Sequence, residues 1–424
     1  MRRKLNRPAA WIAAGLTLLC IAMVAVLVVR AQARPEHQAV TVMTRNLYIG
    51  ADITRPLRAA EGRSGQEAIL ALGHANHELR RIVERTSFAV RSKLLAEEIA
   101  AAQPDLLGLQ EVALWRHGVM QLDQLGKPNA TEVDYDFLAT LMADLSQRGA
   151  GYEVLQIQEQ SDVEAPAFTG NPYTGTARDS QDVRLTVRDV ILLRQGSGLL
   201  VADRGGAHYR QELPVDLAGV PFSFVRGYAW VEVTRGSHGL RYVSTHLESQ
   251  NGDVAAAQAD ELLQALAGLT TETTIIACDC NADPESGGGA RGEVVAPLTT
   301  YQVLTNTDRF ADLWLQQPET AGTGYTAGLG EMVNDPTPDG FTRRLDLVLA
   351  RPAKNIDLTV SNGDVTGDEL ADRELRTGLW PSDHAGVVLQ LGLSGWSSTL
   401  CRRSDDAPSL PSPRLSCCWS SQRS

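Results

Sequence analysis

Cysteine is scarce, at 6 in 424 residues: positions 20, 278, 280, 401, 417 and 418. Loss of the first 33 residues leaves five, an odd number, so no disulfide framework is expected. Cys278 and Cys280 alternate at one apparent strand end, a spacing that makes a mutual bridge sterically poor; their expected role is packing. Aromatic residues make up only 5%, with 7 Trp and 7 Phe, and no apolar hairpin for membrane insertion stands out. Surplus positive charge is missing as well. The net charge is −12, yet residues 1–33 carry five positive and no negative charges and 394–424 carry four positive and two negative, which leaves −19 on 34–393. Such a body does not bind polyanions non-specifically, which weakens a processive nucleic-acid enzyme but suits a metal site. No internal repeat and no second domain is visible.

What is present begins with Arg2, Arg3, Lys4 and Arg7, followed by an uncharged apolar run from Trp11 to Val29. This reads as an export segment, residues 1–33. At about 1.5 Å per residue the run is nearly long enough to cross a bilayer as a helix, and Ala31-Gln32-Ala33 offers a small-x-small cleavage pattern. Two outcomes stay open: release of a secreted body, or membrane attachment through residues 11–29. Leu18 and Leu19 precede Cys20 where lipidation wants a small residue, so a lipoprotein is not expected.

From Val40 on, apolar runs alternate with helical stretches and turn-rich loops. Val40–Thr44 and Asp105–Glu111 read as strands, and Glu67–Ala102 as a helical region interrupted near Thr86-Ser87. Tyr135–Gln147 and Asp253–Ala267 fit helices; Ser161–Asp182, rich in Pro, Gly, Thr and Asp, reads as a long loop. Further strands fall at Tyr152–Ile157, Val190–Leu193, Gly227–Thr234, Leu240–Thr245, Thr274–Ala277, Leu345–Leu349 and Ala385–Leu391. Strands both alternate with helices and follow one another directly, so the fold class is α/β: a four-layer α/β sandwich of two packed mixed β-sheets flanked by helices. It spans 40–393, and 394–424, without periodicity, reads as a disordered tail.

Six blocks carry candidate chemistry, and each has an ordinary alternative. Asn46 after a strand is by default a turn or cap residue, Glu111 a solvated loop acid, and His246 a structural hydrogen-bonder. Asp279-Cys280-Asn281 presents an Asp and an Asn two residues apart at a strand end, with an Asx turn as the alternative. Asp346 lies just inside an apolar strand, where an ion without a partner is costly. Asp383-His384 supplies the candidate partner, with Asp346 orienting His384.

The ordered series Asn46, Gln110-Glu111, Thr245-His246, Asp279-x-Asn281, Arg344-x-Asp346 and Ser382-Asp383-His384 resembles the endonuclease/exonuclease/phosphatase superfamily over about Val40 to Leu393. Many relatives carry Gly-Asp-Phe-Asn where this chain has Cys278-Asp279-Cys280-Asn281. The resemblance implies metal ligation by Asn46, Glu111 and Asp383, with Mg²⁺ the usual ion and Mn²⁺ an alternative. It implies catalysis by five residues. Asp279 would activate water, Asn281 would donate to the transition state, His384 held by Asp346 would bind or protonate a phosphate oxygen, and His246 would stabilise charge across the phosphorus. Arg188 and Tyr325 sit where such domains place substrate-contacting loops, and Trp115 with the 113–182 region is where specificity is expected to reside.

The implied enzyme is an exported, Mg²⁺-dependent phosphoester hydrolase, a phosphodiesterase acting on nucleic acid or phospholipid. The competing readings are a phosphomonoesterase of soluble phosphates such as inositol phosphates, and a non-catalytic binding module. A nuclease should show a basic groove, for which Arg184, Arg188 and Arg226 are the candidates. A binding module should have lost metal or water-activating residues, and none is missing. No obligate protein partner is implied.

Overall fold

The computed structural model describes residues 38–395 except 126, 237, 270, 286–297, 307–309 and 318–321. The export segment and nearly all of the expected tail lie outside the described residues. Among the described residues no helix is long and apolar enough to cross a membrane.

Two large mixed sheets form the frame. The first orders its strands Ile356–Thr366, Gly386–Gly395, Gln38–Asn46, Leu106–Gln110, Arg178–Arg194, Leu114–Gly118 and Glu132–Asp136, with Tyr152–Thr169 also paired to Arg178–Arg194. The second orders Ala311–Asp312, Asp346–Arg351, Thr273–Asp279, His238–His246, Gly227–Arg235 and Leu200–His208. A separate hairpin, Leu213–Leu217 with Val220–Phe224, makes its own two-stranded sheet.

Three apolar layers account for the four-layer stacking. Val42, Leu106 and Ile191 of the first sheet meet Tyr242, Ile275 and Val348 of the second. Leu95, Ile99, Phe137 and Leu141, from helices Phe88–Ala102 and Phe137–Gln147, cover the outer face of the first sheet at Leu107 and Leu192. Leu262 and Leu266 of helix Gly252–Leu266 cover the second at Val243, Ile276 and Leu347. The sheets approach closely at Gly108, where a Cβ would stand 2.7 Å from Ser244 Oγ and 2.9 Å from the Tyr242 hydroxyl. Any larger residue there would push the layers apart.

Helices Gly65–Arg85 and Phe88–Ala102 flank the expected break at Thr86-Ser87. The long loop expected over Ser161–Asp182 is instead mostly strand: Tyr152–Thr169 and Arg178–Arg194 run antiparallel with Val163 opposite Leu185 and Ala165 opposite Val183. Its Pro166 and polar residues are accommodated because Tyr152–Thr169 pairs with only one neighbour and carries register shifts that relieve the ladder.

Candidate active site at the sheet ends

Strand register assembles the site. His246 stands opposite Asp279 in the parallel pair of the second sheet, and Asp279 opposite Asp346 in the adjoining antiparallel pair. In the first sheet Asn46 stands opposite Gln110, which leaves Glu111 one residue beyond the strand end. The two sheets meet at Asp279: Asn46 Nδ2 donates to its Oδ2 at 2.9 Å. His246 Nε2 lies 3.4 Å from the same oxygen and His384 Nε2 3.8 Å from it. His384 Nδ1 is 2.7 Å from Asp346 Oδ2. Asn281 donates its backbone N–H to Asp279 Oδ1 at 3.2 Å and its side-chain amide to Leu247 O at 3.0 Å.

The residues that leave the strands do so in strained backbone. Tyr48, Glu111 and Asn281 have φ of 60°, 56° and 46°, a region that costs little for Asn but more for Tyr and Glu. What over-determines the loop at Tyr48 is buried Arg91, whose guanidinium donates to Leu47 O at 2.6 Å, Tyr48 O at 3.0 Å, Pro381 O at 3.0 Å and Thr86 O at 2.9 Å. One side chain thus joins the loop after Asn46 to the loop before Asp383. Ser382 Oγ closes the same junction, donating to Asn46 O at 2.9 Å and accepting from His384 N at 3.2 Å. Thr326 Oγ1 accepts from the backbone N–H groups of Leu345 and Asp346, each at 3.1 Å.

Burial first, then the charge of Asp383, pushes the Glu111 carboxyl up to about 7. Burial likewise raises Asp279 to about 6, against the lowering influence of His384 and with Asp346 adding to the rise. Asp383 is also raised, by burial. His384 is held well above its ordinary value: burial opposes its charge, but Asp346 and Asp279 outweigh it. His246 is driven well below its ordinary value by burial, with Arg226 and His384 reinforcing. Four carboxylates therefore crowd one place, with Oδ1 of Asp346 lacking a hydrogen-bond partner. Asp279, Asp346 and His384 offer ligand atoms within 4.8 Å of one another. A crowd of carboxylates in excess of the nearby positive charge fits a hard divalent cation.

The cleft is lined by Glu111, His246, Asp279, Asn281, Asp383 and His384, while Asp346 sits behind His384 and Asn46 behind Asp279. The cluster of Asp279, Asp346 and His384 is a different set from the expected ligands Asn46, Glu111 and Asp383, of which Glu111 and Asp383 line the same cleft. Asn46 Oδ1 already accepts from Tyr48 N and Glu111 Oε2 from Ile49 N, both at 2.8 Å. Arg188 does not reach the cleft: it is buried and donates to Val112 O, Ala113 O and, at 2.6 Å, Asp136. Arg184 is spent on Asp162, so of the three candidate arginines only Arg226 lines the cleft. The Tyr325 hydroxyl donates to Glu285 at 3.3 Å, outside the cleft lining.

Cys278 and Cys280, expected to be unbridged, form a disulfide around Asp279. A chain extended through Cys280 would hold the two Cα atoms roughly 6.6 Å apart, near the outer limit for a bridge. The strand instead ends at Asp279 and the Cα atoms approach to 5.1 Å. Gln160 and Arg343 also line the cleft. Neither carries a local signal, since one lies mid-strand in a polar run and the other beside the more conspicuous Arg344, which pairs with Asp312 at 2.7 Å.

Among curated proteins nothing matches the chain. Solved structures do. They include truncated TDP2 of Caenorhabditis elegans, at 16% identity over 84% of this chain and 98% of that one, TM-score 0.43. An endonuclease/exonuclease/phosphatase family protein of Bacteroides thetaiotaomicron aligns at 15% identity over 85% and 98%, TM-score 0.46. A mannosyl-6-phosphatase of the same organism aligns at 15% identity over 83% and 99%, TM-score 0.45. Residues 83–384 match the model of the Endonuclease/Exonuclease/phosphatase family, a span that takes in every site residue but Asn46 and ends on His384. The chain belongs to the endonuclease/exonuclease/phosphatase family of phosphoester hydrolases.

Proposed function

We propose that this chain is an exported, divalent-cation-dependent phosphodiesterase. The observation that carries the reading is the convergence on Asp279 Oδ2 of Asn46, His246 and His384, at 2.9, 3.4 and 3.8 Å. A carboxyl held at about 6 is tuned to take a proton from water near neutral pH. His384, kept protonated by Asp346, presents Nε2–H to a non-bridging phosphate oxygen, and neutral His246 donates from Nε2 on the same face. Asn46 fixes the Asp279 carboxylate so that its reorientation adds nothing to the barrier.

Glu111 and Asp383, which line the cleft beside Asp279, would hold the cation. Mg²⁺ or Mn²⁺ there would polarise the phosphoryl group and offset the crowded carboxylates. A diester is favoured over a monoester because Asp52, Glu111, Glu248, Asp279 and Asp383 line the cleft with Arg226, Arg343 and His384, so that even with a divalent cation bound no surplus positive charge is left for the second negative charge of a monoester. Export is supported by the basic-apolar N-terminus and by the disulfide at the site, which persists in oxidising compartments.

A panel of plasmid DNA, RNA, sphingomyelin, inositol phosphates and bis(p-nitrophenyl) phosphate, run with Mg²⁺, Mn²⁺ or excess chelator, tests the proposal. Cleavage of a diester that stops on chelation is expected. Activity that survives chelation, or hydrolysis confined to monoesters, overturns it.

A further inference from the structure

Beside the catalytic cleft lies a second cavity of opposite character. Its walls include Ile53 and Leu57 from the loop and short helix after the first strand, Trp115, Leu185 of the long central strand, and Phe222 and Phe224 of the separate hairpin. Asn76 is the one polar residue in its lining, and its amide is engaged with Ala165 O and Pro166 O at 2.9 and 3.1 Å. The Trp115 indole N–H is likewise occupied, by Ile49 O at 3.2 Å. Apolar walls with their few polar groups already satisfied give water little to hold and favour a hydrocarbon.

Two walls are shared: Ile53 and Phe224 line both this cavity and the catalytic cleft. The chain then runs from Phe224 through Val225, whose N–H donates to Ser161 Oγ at 2.9 Å, to Arg226, which touches His246. Through Ile53 and Phe224, with Phe224 two residues before Arg226, the cavity adjoins the cleft in which the phosphate would sit. It offers about 50 Å³ to the centres of water-sized groups; at roughly 10–15 Å³ per such group, that is several methylenes in file.

We propose that this cavity is a subsite for an aliphatic substituent on the phosphoester, so that the enzyme selects phosphodiesters carrying an alkyl chain over fully polar ones. The inference rests on the phosphodiesterase reading. It predicts discrimination by chain length, because each methylene moved from water into an apolar wall is worth about a fourfold change in affinity.

Monoalkyl methylphosphonates, singly anionic analogues of a diester, test it with alkyl groups from methyl to octyl. Their affinities for the full chain are measured by calorimetry, with bis(p-nitrophenyl) phosphate hydrolysis followed in parallel. Affinity should stay flat for the shortest esters, rise about fourfold per methylene once the chain reaches Ile53 and Phe224, and then level off. Leu57→Trp, at the half-buried rim, should flatten that rise; Ala165→Leu provides an independent filling of the cavity should the first variant misfold. Equal affinity across the series overturns the subsite, as does a rise that both folded variants retain. Failure to hydrolyse bis(p-nitrophenyl) phosphate, with the chain-length rise intact, overturns the phosphodiesterase reading and leaves the apolar site standing.

Discussion

Arg226 Nη1 lies 2.9 Å from His246 Nδ1, and this contact decides which nitrogen of His246 carries a proton. Arginine can only donate, so Nδ1 accepts and the proton of the neutral ring resides on Nε2, which faces Asp279. Arg226→Ala should remove the lock and part of the charge that holds His246 below its ordinary value. A fall in kcat on the order of 10–10² is expected, together with a rise in the His246 pKa followed by NMR. An unchanged His246 titration would show that burial alone sets it.

His384 and Asp346 form a second unit, joined at 2.7 Å. His384→Ala should cost a factor of about 10²–10⁴ in turnover, the range of a positioned acid–base group, and Asp346→Asn less. The double variant should be far less impaired than the product of the two single losses. Fully multiplicative losses, with metal affinity unchanged, would mean that the two act independently.

The raised carboxyls predict a pH dependence of stability. Glu111 sits at about 7 and Asp279 at about 6, against ordinary values of 4.5 and 3.8. A group with a raised folded pKa contributes stability that is complete below its unfolded pKa and is lost as pH rises through the folded one. Chelated protein should therefore melt lower at about pH 8 than at about pH 5, and Glu111→Gln should reduce that difference. Since cation binding displaces these protons, Mg²⁺ should raise Tm more at the higher pH. A Glu111→Gln variant with the wild-type pH dependence would show that other groups set it.

The Cys278–Cys280 bridge predicts a mass signature. In protein recovered from an oxidising compartment, the peptide holding both residues should be lighter by two hydrogens before reduction than after, and neither thiol should alkylate in denaturant without reductant. Alkylation of both before reduction would remove the bridge.

The sequence by itself determined the strands that carry the chemical blocks, the main helices and the order of those blocks, because each rests on local periodicity or on short motifs. The break at Thr86-Ser87 and the residues Asn46, Glu111, His246, Asp279, Asp346 and His384 were legible in this way. Their neighbourhood was not. That His246, Asp279 and Asp346 stand in one row follows from parallel and antiparallel registers between distant strands, which no local pattern encodes. The same holds for Arg188, basic and well placed in the sequence, yet drawn into the core by Val112 O, Ala113 O and Asp136. It holds for the 161–182 segment, whose Pro and polar residues signal a loop until a partner strand satisfies its backbone. The disulfide turned on where the chain leaves its strand: ending at Asp279 brings Cys278 and Cys280 to 5.1 Å. Tertiary packing also decided the charge state of each site residue, because burial and the nearness of other charges, not residue type, set how readily a proton is held.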